Sequence, residues 1–370
     1  MDKSIKKYLV HLGLFLVTFF TTTLSGSFFI KGKMWGYTEY SWQDFLEGMQ
    51  YSIPFLLILT VHEFGHYFTA RYHKIKTTLP YYIPLPPFPL LIGTMGAIIR
   101  IKQFVQSKKE HFDIGLAGPL AGFVVAIGLL YYGYANLPPA EYIYEIHPEY
   151  KEYGENYKEH FYNNDSVINV AVGKNLAILF FENYVADPSR IPDDNEFLHY
   201  PYIFAGFLAL FFTALNLLPI GQLDGGHVLY GLVGAKWHSR IATVFFIGLL
   251  FYAGLGYVTP YQPYDQLLWS VPLYIAFLYF ALRGLKKSGQ TTLMLAMIIF
   301  SAQFLIALVK PGLEGFEGWL FFGLLIGRFL GVYHPKSSVE EPLDLKRQIL
   351  GWLTLIIFII SFSPAPLIVN

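Results

Sequence analysis

The sequence alternates between long apolar runs and short polar segments. Because a helix needs about 17–25 mostly apolar residues to cross a bilayer, a run of that size indicates a transmembrane helix. Nine runs are long enough, and they lie near residues 8–24, 51–70, 114–135, 201–219, 241–259, 267–283, 291–309, 317–333 and 348–364. The pattern therefore predicts an all-α polytopic membrane protein with about eight or nine transmembrane helices in a lipid bilayer.

Composition agrees with this fold class and narrows the range of partners. The 370 residues are 54% hydrophobic and only 14% charged, which is far from the average soluble domain. The formal net charge is zero, so nothing in the sequence suggests a nucleic-acid partner. The chain has no cysteine, which excludes a Cys-ligated zinc and a disulfide framework.

Charge placement predicts how the spans are oriented. The first apolar run has no evident small-residue cleavage site, so we expect it to be retained as a span. If the N-terminus is cytosolic and sides alternate at each span, most lysines and arginines fall on the cytosolic side, including those in 71–76 and 100–109. The positive-inside rule favours this arrangement. We therefore expect a multi-pass integral membrane protein with a cytosolic N-terminus.

One polar motif interrupts the second apolar run. The motif is His62-Glu63-Phe64-Gly65-His66, an HExxH pattern. In a helix, His62 and His66 lie one turn apart on the same face and can share a metal ion, while Glu63 can take a proton from a bound water. Burying polar side chains inside a membrane costs free energy. Their presence in this apolar run therefore indicates that they have a function. Arg71 follows closely, so the motif is expected near the cytosolic side.

A catalytic zinc site generally uses three protein ligands, so a third must come from elsewhere. The candidate is Asp224, in the stretch 216–227 that ends a later apolar run. A carboxylate at that depth is costly, and a divalent cation would neutralise it. Asp224 as a helix N-cap and His227 as the ligand are the alternatives. Asn216 is a candidate for polarising the substrate carbonyl.

The segment after the motif, residues 71–113, predicts a membrane-associated hairpin. Its prolines at 80–87 forbid a continuous helix, and two apolar arms flank Gly93-Thr94-Met95-Gly96. An exposed strand edge there could pair with an unwound substrate backbone. The alternative is a structural loop over the core.

Residues 136–200, named the cap loop below, form a long acidic segment between two spans. Acidic residues outnumber basic ones in it, and tyrosine and asparagine are frequent. A solvated cap on the outer face is the default interpretation. His147, His160 and His199 lie far from the HExxH motif in sequence, so they are interpreted as surface histidines.

The motifs together resemble the site-2 protease family of intramembrane zinc metalloproteases, especially its plastid and cyanobacterial-type branch. The resemblance rests on HEFGH in one span, NLLPIGQLDGGH in a later one, the glycine-rich run 115–122 and the GTMG segment. It implies a zinc ion held by His62, His66 and Asp224, with Glu63 as general base. It also implies regulated cleavage of a single-span substrate's transmembrane helix near the cytosolic side.

We expect one polytopic domain over residues 1–370. Its catalytic core covers about 51–235, with the cap loop inside that range, and accessory spans cover 241–364. The same interpretation allows a homo-oligomer.

Other functions fit parts of the pattern. A catalytically silent scaffold would keep the fold, but every catalytic position is intact. A metal transporter would repeat polar residues along a pathway, whereas residues 241–309 are nearly free of acids and histidines. A prenyl-protein-type membrane protease usually takes its third ligand from a downstream Glu. Here the LDGG stretch at 223–226 resembles the site-2 protease family instead, which argues against that type.

Overall fold

The computed structural model describes residues 3–162 and 170–369, and most of them are helical. Twelve α-helices lie within these two ranges: α1 Lys3–Lys31, α2 Trp42–Tyr72, α3 Lys108–Ala135, α4 Ile143–Ile146, α5 Tyr157–Phe161, α6 Leu176–Tyr184, α7 Pro201–Asn216, α8 Asp224–Ala253, α9 Tyr264–Leu282, α10 Gly289–Val309, α11 Gly318–Leu325 and α12 Leu345–Ser361. A π-helical segment, Ile326–Leu330, continues α11.

The strands are short and occur as two antiparallel pairs in the described residues. β1 (Tyr81–Pro84) pairs with β2 (Thr94–Ile98), and β3 (Val170–Val172) pairs with β4 (Leu367–Val369). The pairing of β3 with β4 was not predicted, because β4 lies almost two hundred residues further along the chain.

Each of the nine predicted apolar runs overlaps one of the long helices or the α11 segment. By length and composition, four helices of the described residues can cross a membrane: Ile5–Lys31, Lys108–Ala135, Tyr264–Leu285 and Gly289–Val309. Between 28% and 50% of their most apolar windows is buried, so these helices present apolar side chains outward. The predicted class, an all-α membrane protein, is confirmed, and the count of eight or nine spans stays a prediction.

The chain divides into two compact units. The first comprises Met1–Phe104, Ala117–Leu215 and Ile356–Asn370, and the second comprises Val105–Leu116 and Asn216–Leu355.

In the first unit, α1 and α2 pack closely because small residues line their contact. A side chain at Gly48 would collide with the backbone of α1 at Thr23. Next to it, the hydroxyls of Thr23 and Ser52 form a buried hydrogen bond of 2.7 Å. Tyr51 and Phe55 on the following turn are fully buried in the main apolar core of this unit. The start of the HExxH helix is thereby fixed.

A hairpin is present as β1 and β2, but its turn covers residues 85–93, and residues 94–96, which were predicted to lie between the arms, belong to β2. Gly93 and Gly96 have φ values of 79° and 96°, in the left-handed region that favours glycine. The register shifts between Tyr82 and Pro84, where proline lacks the backbone donor a regular ladder needs. The hydroxyl of Tyr82 lies 2.6 Å from that of Thr60, which ties the hairpin to α2.

The cap loop is built from short helical segments. Residues 163–169 of it lie outside the described residues. Ile143, Tyr150 and Tyr157 form a small apolar cluster of their own. The ammonium of Lys174 lies between the carboxylates of Glu182 and Asp194, at 2.9 and 2.6 Å. The cap loop therefore has its own internal packing.

In the second unit, α8 is interrupted at Gly234, whose φ is 74°. Further along, the buried amide of Gln303 accepts a hydrogen bond from Tyr274 at 3.0 Å and donates one to the carbonyl of Phe251 at 2.8 Å. This bridge joins α8, α9 and α10, and it satisfies the buried amide of Gln303.

Candidate metal centre

The HExxH residues lie on α2, whose first turn is well capped. Ser41 and Asp44 form a reciprocal capping box at its start. Two turns after the buried Tyr51 and Phe55 cluster, the same helix presents His62, Glu63 and His66, each less than 9% exposed. The apolar helix therefore buries three polar side chains side by side.

The two imidazoles face each other. The Nε2 atoms of His62 and His66 lie 3.1 Å apart, and the nearer Glu63 oxygen lies 4.0 Å from Nε2 of His62. Two nitrogen ligands at about 2.0–2.1 Å in a tetrahedral zinc site are separated by about 3.3 Å. The donor type, the spacing and the neighbouring carboxylate fit a zinc ion.

Helix α3 shapes the space around the imidazoles by presenting glycines to them. A β-carbon at Gly118 would lie against Nε2 of His66 itself, and one at Gly122 would be 3.3 Å from the His62 ring. On the other helix, Gly65 faces the backbone of Ala117. The resemblance alone drew attention to the glycine run 115–122, but the spacing of four residues between Gly118 and Gly122 also indicates that both lie on one helix face.

The predicted third ligand and the predicted amide belong to the second unit. Asn216 is the last residue of α7 and Asp224 is the first residue of α8, and both are half-buried. The N-cap of α8 is Leu223, with no side-chain cap hydrogen bond, so the alternative interpretation of Asp224 as the N-cap is wrong. The assignments of Asp224 as ligand and Asn216 as carbonyl donor stay predictions.

The glycines after Asp224 allow the start of α8 to approach the preceding turn. A β-carbon at Gly225 would collide with the carbonyl of Leu217, and one at Gly226 with that of Gly221. His227, the alternative ligand, has its Nδ1 2.7 Å from Nε2 of His334. His334 in turn uses its Nδ1 on the Pro335 carbonyl at 2.5 Å, so its Nε2 is an acceptor for the His227 N–H.

A second group of two histidines and a glutamate lies in the cap loop. It contains His147, Glu196 and His199, which are intermediate, buried and intermediate in exposure. The two histidines predicted to be surface residues are therefore only partly exposed, whereas His160 is exposed as expected.

Comparison with known proteins places the chain among peptidases. The model of Peptidase family M50 matches residues 50–256. Among similar proteins is "Probable zinc metalloprotease EGY2, chloroplastic" of Oryza sativa subsp. indica, 30% identical over 205 residues, which are 55% of this chain and 32% of the relative.

Two further relatives match over the same extent. "Probable zinc metalloprotease EGY1, chloroplastic" of Oryza sativa subsp. japonica is 29% identical over 54% of this chain and 30% of its own length. "Probable zinc metalloprotease EGY2, chloroplastic" of Arabidopsis thaliana is 26% identical over 55% and 32%. The match thus spans about a third of these relatives. No solved structure matches the chain significantly.

Proposed function

The chain belongs to Peptidase family M50, and we propose that it is an intramembrane zinc metalloprotease that hydrolyses a peptide bond within or near the transmembrane helix of a single-span membrane protein. One observation carries the proposal. Two imidazole Nε2 atoms lie 3.1 Å apart beside a buried carboxylate, directly after an apolar stretch of α2. Burying such groups among apolar side chains is costly, and metal-dependent hydrolysis uses all three.

In this proposal His62, His66 and Asp224 hold the zinc ion. When bound, zinc supplies a Lewis acid that polarises the peptide carbonyl and makes water more acidic. The glycine face of α3 keeps His66 accessible at Nε2, since any larger residue at Gly118 would occupy that place. The ligands are thus positioned by helix packing.

The other residues move protons and orient the substrate. Glu63 accepts a proton from the attacking water and passes it to the leaving nitrogen, as a general base and then a general acid. The amide of Asn216 donates a hydrogen bond to the substrate carbonyl oxygen as negative charge develops there.

The hairpin supplies a place for the substrate backbone. A transmembrane helix must lose hydrogen bonds before one of its carbonyls can be attacked, and a strand edge can replace them. β2 pairs with β1 on one side, and its Met95 and Ile98 side chains are exposed. We propose that β2 lies in the membrane and pairs with the unwound substrate segment.

The proposed arrangement in the membrane follows from the charge pattern. It has eight or nine spans, a cytosolic N-terminus and an active site near the cytosolic side. The core at 51–235 carries the chemistry, the spans at 241–364 are accessory, and the whole forms one polytopic domain over residues 1–370 that can associate as a homo-oligomer.

Metal content is the first test, because it needs no substrate. Wild type and the variants His62→Ala/His66→Ala and Asp224→Ala are purified in detergent and their zinc is measured. Zinc at this site is the difference between wild type and the double variant, so ions bound elsewhere do not enter the count. We expect one zinc ion by this difference and loss of the same ion in Asp224→Ala.

Cleavage of a panel of single-span reporters, coexpressed with wild type or with Glu63→Gln, then tests hydrolysis. Zinc binding without cleavage of any reporter would favour a silent scaffold. Equal zinc in wild type and the double variant would overturn the metal site. Retention of zinc by Asp224→Ala would remove only the third-ligand assignment.

A further inference from the structure

The His147, Glu196 and His199 group of the cap loop has the geometry of a metal site in its own right. Nε2 of His147 lies 3.2 Å from Nε2 of His199. The Oε2 atom of Glu196 lies 3.7 Å from the first nitrogen and 3.3 Å from the second. These separations surround the value of about 3.3 Å expected between ligands of a tetrahedral zinc ion.

The outer nitrogens of both rings are engaged by acceptors. Nδ1 of His199 lies 3.0 Å from the carbonyl oxygen of Ile30, and Nδ1 of His147 lies 3.1 Å from a carboxylate oxygen of Glu149. A carbonyl and an ionised carboxylate can only accept, so each Nδ1 carries the hydrogen. In the neutral rings, both Nε2 lone pairs then point inward.

The carboxylate of Glu196 is the third acceptor that faces the same point as the two histidine nitrogens. The Glu196 side chain is only 4% exposed. Its Oε1 atom accepts hydrogen bonds from the hydroxyl of Tyr150, at 3.1 Å, and from that of Tyr162. The Oε2 atom is thereby left facing the two histidines. Three electron-pair donors that meet in a half-buried place repel one another, and a cation between them would relieve that repulsion.

We propose that His147, Glu196 and His199 bind a divalent transition-metal ion, zinc foremost, which pins the two ends of the cap loop together. Two imidazoles and one carboxylate are a ligand set for zinc and its first-row neighbours, whereas calcium and magnesium prefer oxygen ligands alone. The hydrogen bonds from Tyr150 and Tyr162 and to Ile30 are the outer contacts that orient ligands in such sites.

A neighbouring cavity touches one of the three residues, and the group has a consequence for the fold. A cavity of about 330 Å³ reaches Glu196 and is lined by Tyr157, Lys158, Asp193 and Tyr200 among others. His147 comes from the first part of the cap loop, whereas Glu196 and His199 come from its last turn before α7. An ion bound to all three closes a loop of about fifty residues, and so restricts the unfolded cap loop.

The test uses zinc alone as the probe, with the full chain in detergent. The His62→Ala/His66→Ala variant serves as background, so that the HExxH site cannot contribute. After removal of metal, we expect this protein to bind one zinc ion, and calcium or magnesium not to displace it. Adding His147→Ala should weaken zinc binding by about 100-fold or more, because a direct ligand matters at least as much as the outer contacts that give 10–100-fold.

Two matched variants separate this site from other histidines. His160→Ala removes an exposed histidine from the same cap loop, and His334→Ala removes one from the second unit. Both should retain the zinc ion with unchanged affinity. Glu196→Gln, which keeps the size and an acceptor oxygen, should lose it.

A second measurement covers the case in which a variant folds poorly. Zinc should raise the thermal unfolding midpoint of the background protein and of His160→Ala, and should leave that of His147→Ala unchanged. If the metal-free background protein binds no zinc, or if His147→Ala and Glu196→Gln bind it as well as the background does, the proposal is overturned. In that outcome the two histidines share a proton with Glu196 instead.

Discussion

Two groups of two histidines and a glutamate lie in the first unit, and they are built in opposite ways. The HExxH group is carried by one helix, and helix packing shapes it: glycines of α3 leave room for the rings of His62 and His66. The cap-loop group is assembled from segments about fifty residues apart, and hydrogen bonds shape it: Ile30 orients His199, and Tyr150 orients Glu196.

The difference shows how each group can be used. In the HExxH group, the carboxylate of Glu63 lies 4.0 Å from Nε2 of His62, a place from which it would serve as a base beside a metal ion in the proposed mechanism. In the cap-loop group, one oxygen of Glu196 faces both histidines while the other is occupied by tyrosines. The first arrangement leaves a carboxylate for chemistry, whereas the second uses its carboxylate for binding.

The largest expected effect separates the two glutamates. Glu63→Gln should lower reporter cleavage by at least about 100-fold, because general acid–base catalysis contributes about 10²–10⁴-fold. Its zinc content should equal that of wild type, since Glu63 is not a ligand in this scheme. Activity is measured on a reporter that the wild type cleaves, together with bound zinc.

The matched control for that variant is Glu159→Gln, an exposed glutamate of the cap loop. It should cleave as wild type does. If Glu63→Gln cleaves the reporter within tenfold of wild type, Glu63 is not the general base, and the proposed difference between the two glutamates is wrong.

A second variant tests whether helix packing really shapes the HExxH group. Gly118→Ala would place a methyl group against Nε2 of His66. Zinc affinity at that site should fall by about 10–100-fold, as it does when the support of a ligand is disturbed. The cap-loop site should keep its ion, and competition with a chelator measures both.

Gly128→Ala is the control on the same helix, because a β-carbon there meets no atom within 4 Å. It should bind zinc normally and unfold at the same temperature as wild type or slightly higher, since alanine favours a helix. Normal zinc affinity in Gly118→Ala would show that α3 gives way and that the glycine face is not part of the site.

The third variant applies the corresponding test to the cap loop. Tyr150→Phe removes one hydroxyl that donates to Glu196. Zinc affinity of the cap-loop site should fall by about tenfold, at the lower end of the range for outer contacts, because the Tyr162 hydroxyl remains. The measurement is a zinc titration of the His62→Ala/His66→Ala background with and without this change.

Tyr153→Phe, in the same loop, should leave the titration unchanged. An unaltered affinity in Tyr150→Phe would mean that the tyrosine hydrogen bonds serve the fold of the cap loop and do not tune the ligand.

The smallest expected effect concerns the hairpin, which contacts the helix that carries the HExxH group. Thr60→Val keeps the shape of the side chain but removes its hydrogen bond to Tyr82. The loss of about 1 kcal/mol should lower kcat/KM for a reporter by about fivefold if the hairpin positions the substrate. Zinc content at both groups should stay unchanged, and a fall in zinc instead of activity would count against the role of β2.

The sequence predicted that His62 and His66 lie close together, because helix geometry brings residues four positions apart onto the same face. No such rule connects His147 with His199, which are brought together by the turns of the cap loop and by the Ile30 carbonyl at the end of α1. No regular spacing in a single sequence predicts that His147 and His199 lie close together. The frequent tyrosines and histidines of the loop were the only signal.

The hairpin could be predicted from the sequence in part, less fully than the HExxH group and better than the cap-loop group. The prolines and glycines predicted that the chain turns back on itself here, since their φ preferences are local properties, but Gly96 lies inside β2 and not in the turn. The place of the hairpin against α2 depends on the hydrogen bond between Tyr82 and Thr60, which the local sequence does not specify.

Gly118 has a consequence for how the proposed activity would be inherited. If the predicted effect of Gly118→Ala holds, a duplicated gene would keep every residue of HExxH and still encode a protein that binds its metal about 10–100-fold more weakly after a single methyl group appears at this position. Such a copy would carry the intact motif with a weakened site. To tell working descendants from silent ones, the side chain opposite His66 must be compared along with the motif itself.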